Sequence, residues 1–140
     1  MGTIEYNRAA FEKASQAVGD HGPVYMINMV RYRAEADYGG GSDLPPCSGR
    51  EAYFHRYAPA FAKVAEGEDY SVFWVGNVRG MLTSSPDESW DDVVIVRYSS
   101  FPALRRILES EGYEAEAAPH RRAALADWRF MATTSPNMPG

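Results

Sequence analysis

Two rhythms run through this chain. In four stretches the apolar residues alternate with polar ones or run together over the length of a strand. Between them, apolar residues return every three or four positions, as on one face of a helix. The first strand is predicted over 24–33, in "GPVYMINMVRYR". "YSVFWVGNVRGML" is the second and "DDVVIVRY" the third, with "TSSPDESW" turning between them as a hairpin. "WRFMATT" is the fourth.

The helical stretches carry their own punctuation. Ile4, Phe11, Ala14 and Val18 keep helical spacing up to Gly19, which predicts a helical extension within residues 1–21. Ser48 and Glu51 form a capping box ahead of "REAYFHRYAPAFAKVAEG", where Tyr53, Tyr57, Phe61 and Val64 share one face. Pro59 sits inside that helix and predicts a kink or break near Tyr57. Ser100 caps "FPALRRILESEG", with Pro102 in its first turn, and "YEAEAAPHRRAALAD" is a further helical segment interrupted by Pro119. Residues 34–47, rich in glycine and proline, read as a flexible loop insertion, and 135–140 as a tail. The whole, 1–140, is one α+β domain. Its core order, strand, helix, strand, strand, helix, strand, is the βαββαβ pattern of the ferredoxin-like fold, an antiparallel sheet with helices on one face.

Splitting each strand by alternation gives two faces. One holds Val24, Met26, Asn28 and Val30, then Val72, Trp74 and Gly76, then Val94, Val96 and Tyr98, then Trp128 and Phe130; being more aromatic, it is assigned to the helices. The other holds Tyr25, Ile27, Met29 and Arg31, then Phe73, Val75 and Asn77, then Val93, Ile95 and Arg97, then Arg129 and Met131. It too is apolar at the strand centres, so a second copy of the chain is expected to cover it in a homodimer. Asn28 is the anomaly: a buried amide needs partners, and Tyr57, Tyr98 and His120 are the candidates. Either Asn28 ties a helix to the sheet, or it points into a pocket lined by Tyr53, Tyr57, Trp74, Tyr98 and Trp128, aromatic walls with a few placed polar groups.

Composition narrows the classes. The net charge of −5, with both signs mixed along the chain, argues against nucleic acid. No apolar run is long enough to span a bilayer, and the N-terminus lacks the pattern of a signal peptide. A single cysteine, Cys47, excludes an intrachain disulfide and suits a cytoplasmic protein. Scattered histidines without HxH or HExxH spacing give no metal site, "GGGS" lacks the GK[ST] of a phosphate loop, and "SGREA" lacks the nucleophile-elbow spacing. No motif requires a cofactor.

"GPVYMINMVRYR", "SGREAYFHRYA", "ESWDDVVIVRYSS" and "SEGYEAEAAPHRRAALADWRFMAT" resemble an uncharacterised bacterial family, domain of unknown function 1330, of the dimeric α+β barrel superfamily. The resemblance covers about residues 22 to 133. It implies a ferredoxin-like protomer, a homodimer with sheets face to face, and a site between sheet and helices. It implies no established reaction. The superfamily includes cofactor-independent monooxygenases, cyclases and isomerases, as well as haem-dependent enzymes.

His120 is the acid/base candidate, because imidazole titrates near neutrality. Asn28 and Tyr57 would polarise a ligand oxygen, with Tyr53, Trp74, Tyr98 and Trp128 as walls and Arg31 and Arg97 available for a carboxylate or enolate. The functional expectation is a small-molecule-binding protein, either a cofactor-independent enzyme acting on a small aromatic or carbonyl compound, or a noncatalytic binder or structural dimeric module.

Overall fold

A computed structural model of the protein describes residues 2–136; the predicted tail lies outside the described residues from position 137 on. Four strands, β1 (Val24–Tyr32), β2 (Tyr70–Asn77), β3 (Asp92–Tyr98) and β4 (Leu125–Thr133), form one sheet in the order β2-β3-β1-β4. Every pairing is antiparallel. This is the α+β ferredoxin-like fold that the element order predicts. The second strand stops earlier than its apolar run suggests, and the fourth starts earlier, taking in Leu125 and Asp127.

The helices begin where the sequence caps them. In α1 (Arg8–Val18) the Asn7 side chain accepts from the Ala10 N–H, and the chain leaves at Gly19 with φ 83°. The helix α2 has three consecutive stretches, Gly49–Glu51, Ala52–Tyr57 and Ala58–Val64, and opens on the Ser48–Glu51 capping box. The helix α3 (Phe101–Leu108) is capped by Ser100. The helix α4 joins a stretch over Tyr113–Ala117 to one over Ala118–Ala124 and packs against α2. Among the described residues no helix is long and apolar enough to cross a membrane.

The prolines do not break their helices. Proline lacks an N–H, and its ring displaces the carbonyl one turn back. Each helix accommodates this with a π-turn just ahead of the proline: Ala58 N–H donates to Tyr53 O, and Ala118 N–H to Tyr113 O. The spacing is the same in both, Tyr53 to Pro59 and Tyr113 to Pro119. The ladder loses one register step and continues, so the predicted kink becomes a widened turn.

One sheet face packs under α2 and α4. Val24, Met26, Val30, Val94, Tyr98 and Leu125 are buried there, and Trp128 and Phe130 join them through the β1–β4 register. The predicted facing fails in β2. Val72 pairs with Val96, but Trp74 pairs with Ile95 and Val75 with Val94, so Phe73 is an extra residue in a β-bulge. Phe73 and Trp74 therefore both stand on the open face, 63% and 58% exposed, while Val75 turns to the helix side. The Trp74 indole lies back over Gly76, 2.6 Å from where a Cβ would stand. Trp74, expected as a pocket wall, is thus on the opposite side of the sheet.

The loop predicted over 34–47 is tied to its own chain. Asp37 N–H donates to Ala123 O in α4, Ala36 N–H to Cys47 O, and the Arg56 guanidinium to Pro45 O. Tyr38 meets His120 of α4, and Arg56 lies over its ring. Where the loop rejoins α2, Gly49 is pinched between strand and helix: a Cβ there would stand 2.3 Å from Arg33 O and 2.5 Å from Ala124 O. Both neighbours are backbone held by hydrogen bonds, Gly49 N–H to Arg33 O and Arg33 N–H to Ala124 O. Gly49→Ala is expected to cost about 1–3 kcal/mol or more through overpacking. Denaturant unfolding of the variant beside the parent measures it, and an unchanged midpoint would contradict this crossing.

Candidate functional site

Between the helix-side face of the sheet and the α2–α4 pair lies a cavity of about 240 Å³. Its floor is β1 and β3, with Asn28, Val94, Val96 and Tyr98; its roof is Tyr53, Tyr57, Phe61 and Tyr113 from the helices. Trp128 and Phe130 of β4 close one side. Val72 and Val75 of the edge strand β2 line the other side and are exposed, so the mouth is there. Among the described residues no Asp, Glu, His, Lys or Arg lines it.

Asn28 is a tie between strands. Its Nδ2 donates to Val94 O at 3.0 Å, and its Oδ1 accepts from Trp128 Nε1 at 2.9 Å. The two partners fix the amide's orientation, since an indole can only donate and a carbonyl can only accept. The expected partners Tyr57, Tyr98 and His120 are not the ones used. From the central strand β1, Asn28 binds β3 on one side and β4 on the other, and its remaining hydrogen-bonding capacity borders the cavity.

The tyrosines divide into two groups. Tyr57 and Tyr113 share a hydrogen bond between hydroxyls at 2.9 Å, and Arg121 Nη1 donates to the Tyr113 oxygen at 2.6 Å. Arg121 is 2% exposed; its Nη2 pairs with Glu5 at 3.0 Å, and its guanidinium lies 4.9 Å from the Trp128 ring centroid. Burial works against this charge, but the Tyr113 and Tyr57 oxygens and the Glu5 carboxylate outweigh it, so Arg121 stays protonated. Tyr53 and Tyr98, 7% and 4% exposed, form the second group. Their hydroxyls make no hydrogen bond among the described residues, although both side chains line the cavity. Burial raises the pKa of Tyr53, Tyr57 and Tyr98, with neighbouring phenols adding to it. All three remain neutral phenols, able to donate or accept a hydrogen bond but not to act as bases at neutral pH.

Of the residues predicted for the site, Asn28, Tyr53, Tyr57, Tyr98 and Trp128 come together here. The others do not. His120 is half-buried on the outer side of α4, its Nδ1 2.7 Å from the Tyr38 hydroxyl, and its pKa is lowered by burial and by Arg56. The interruption at Pro119 leaves its helix intact, so nothing swings His120 inward. Arg97 stands opposite Tyr25 at one end of β1, and Arg31 lies past Val30 at the other, about 20 Å along the strand. They cannot hold one carboxylate together; Arg31 meets Asp127 at 3.6 Å and Arg97 meets Asp69 at 3.9 Å. Tyr113 and Arg121 belong to the cavity wall and the layer behind it, yet were not predicted as site residues. The matching Tyr–Pro spacing of the two helices is the signal that sets Tyr113 in α4 where Tyr53 stands in α2; its hydroxyl there meets that of Tyr57.

No family model matches the chain, so the resemblance to domain of unknown function 1330 rests on the sequence blocks alone, and no curated protein matches either. The crystal structure of methylated RPA0582 protein superposes with a TM-score of 0.82 at 32% identity, covering 99% of this chain and 98% of that one. A second structure, RPA0582 from Rhodopseudomonas palustris, a protein of unknown function, gives 0.81 at 31% identity over 99% and 100% of the two chains. A dimeric protein of unknown function with a ferredoxin-like fold from Bacteroides fragilis NCTC 9343 gives 0.41 at 13% identity, over 82% of this chain and 98% of that one.

Two substitutions separate structural ties from free groups. Asn28→Ala strands the Trp128 N–H and the Val94 carbonyl, and is expected to cost about 1–3 kcal/mol. Tyr98→Phe gives up no hydrogen bond and is expected to leave stability unchanged or slightly raised. Thermal unfolding of both variants checks the contrast; equal losses would show that the Tyr98 hydroxyl has a partner after all.

Proposed function

Because this chain belongs to the same family as RPA0582, a protein of unknown function, we propose its role from the cavity itself: it binds a small, one-ring aromatic compound bearing a hydrogen-bond acceptor such as a carbonyl oxygen. The observation that carries this is the pair of hydroxyls on Tyr53 and Tyr98, which have no hydrogen-bond partner among the described residues and belong to buried side chains lining an aromatic cavity. A hydroxyl without a protein partner is left to a water or to a ligand acceptor, and a hydrogen bond to it contributes about 0.5–1.5 kcal/mol. Size agrees. A dry cavity of about 150 Å³ holds benzene, and sites for drug-sized ligands start near 300 Å³. The volume of about 240 Å³ falls between. The walls supply apolar contact, and the phenols supply direction.

Binding is favoured over proton-transfer catalysis because no carboxylate or imidazole lines the cavity. The proton-moving role expected of His120 has no place in this reading, since its ring is engaged with Tyr38 outside. Acetophenone is a suitable probe, with binding followed by quenching of tryptophan fluorescence. Saturable binding is expected, about tenfold weaker in Tyr98→Phe, the effect of one lost hydrogen bond of roughly 1.4 kcal/mol. Val72→Trp, at the exposed mouth, should abolish it with the fold intact. Binding indifferent to both changes would overturn this assignment of the cavity.

The open face of the sheet is the proposed contact for a second copy. Phe73 and Trp74 stand exposed there beside the half-buried Tyr25, Ile27 and Ile95. Such a contact needs to bury roughly 1,200 Å² or more. Sedimentation should give a dimer at micromolar concentration, and Trp74→Glu should shift it to monomer. A parent protein that sediments as a monomer would remove the proposal.

A further inference from the structure

The hydroxyl chain behind the cavity has a direction. Arginine has donors only, so the Tyr113 oxygen must accept from Arg121 Nη1, 2.6 Å away. Tyr113 then has one proton to place, and its remaining neighbour is the Tyr57 oxygen at 2.9 Å. A charged donor on an oxygen makes that hydroxyl a stronger donor in turn. Tyr113 is therefore the stronger donor of the pair, which favours a hydrogen bond from its hydroxyl to the Tyr57 oxygen. The Tyr57 hydroxyl proton has no further partner among the described residues, and Tyr57 lines the cavity. The buried positive charge of Arg121 is thus relayed through two phenols to a proton facing the ligand space.

The charges around this chain favour the same sign of ligand. From α4 come Arg121 and Tyr113, from α2 Tyr53 and Tyr57, and from β3 Tyr98; the one carboxylate on the relay, Glu5 of the N-terminal segment, meets Arg121 on the far side from the cavity wall and is also held by Arg122. Tyr53 stacks on Tyr57 with ring centroids 5.3 Å apart, bringing a second free phenol alongside. The buried Asp92 of β3, which adds to the raised pKa of Tyr53, is paired with Arg50 at 3.0 Å and does not line the cavity. Preorganised donors in a largely apolar site, backed by a fixed cation and with no carboxylate in its lining among the described residues, stabilise negative charge on a bound oxygen.

Building on the proposed function above, we propose that the cavity takes an acidic phenol or enol in its ionised form, its oxyanion held by the Tyr57 hydroxyl through the Arg121–Tyr113 relay. Binding an un-ionised ligand then releases its proton to solvent; no bond other than the ligand O–H is broken. Tyr57 touches the ligand, whereas Tyr113 and Arg121 are positioning residues that polarise it.

4-Nitrophenol reports this directly, because its phenolate absorbs in the visible. Titrated across neutral pH, the bound probe is expected to ionise about one pH unit lower than the free one, an about tenfold preference for the anion. Nitrobenzene, of similar shape but without an acidic proton, is the control. Tyr57→Phe should abolish the shift while nitrobenzene binding persists, which also shows that the variant is folded. Tyr113→Phe, which cuts the relay but leaves the Tyr57 hydroxyl, should reduce the shift. Should both probes bind with no change in ionisation, or should the shift survive Tyr57→Phe, the oxyanion inference falls and the binding cavity stands. If neither probe binds, both fall.

Discussion

The burial of one guanidinium organises this molecule. Taking a cation out of water costs several kcal/mol unless neighbours replace the lost hydration. Arg121 meets most of that demand by drawing in three separate parts of the chain, while its buried Nε has no hydrogen-bond partner among the described residues. Tyr113 accepts from the same helix, Glu5 reaches in from the N-terminal segment, and the face of Trp128 from β4 lies against its plane. Trp128 is held in turn by Asn28, and Asn28 by the Val94 carbonyl. A continuous line of polar contacts therefore runs from the N-terminal segment through α4, β4 and β1 to β3. The amide in the middle of an apolar strand is one link in that line.

The two π-turns set the tyrosines into the same scheme. A widened turn ahead of each proline lets the helix pass its missing hydrogen bond without breaking. Because α2 and α4 carry the same tyrosine-to-proline spacing, the halves of the fold present matching aromatic residues to one space. Tyr53 and Tyr57 come from one half and Tyr113 from the other, and the hydroxyls of Tyr57 and Tyr113 meet. The result is a cavity whose polar groups are nearly all neutral phenols, with the charge of Arg121 held one layer back.

The sequence disclosed the fold because strand alternation and helix caps are local signals. Ser48, Ser100 and Gly19 act where their chemistry places them, and the face shared by Asn28, Val94, Tyr98 and Trp128 follows from period two. What it hid depends on backbone events without a side-chain signature. Trp74 was misplaced because a bulge at Phe73 reverses every later facing in β2, and bulges have no reliable residue code. His120 was drawn inward by assuming that Pro119 interrupts its helix; the π-turn keeps the helix whole and leaves the imidazole outside. Arg31 and Arg97 sit on neighbouring strands, as expected, but the antiparallel register puts them at opposite ends. Arg121 has no local signal of burial, and only the three-dimensional convergence of Glu5, Tyr113 and Trp128 marks it as buried.

The bulge in β2 also governs how this strand can change length. Phe73 is the residue without a partner in β3, while Val72, Trp74 and Val75 take successive partners around it. Deleting Phe73 would close the ladder and leave every remaining side chain on the face it now occupies. Deleting Trp74 would do the same, because Phe73 then takes its place on the open face, whereas deleting any residue from Val75 to Asn77 would invert part of the strand and send a side chain to the other face. Gaps among relatives in this segment should therefore fall at Phe73 or Trp74, and a homologue one residue shorter there would keep both the cavity and the open face.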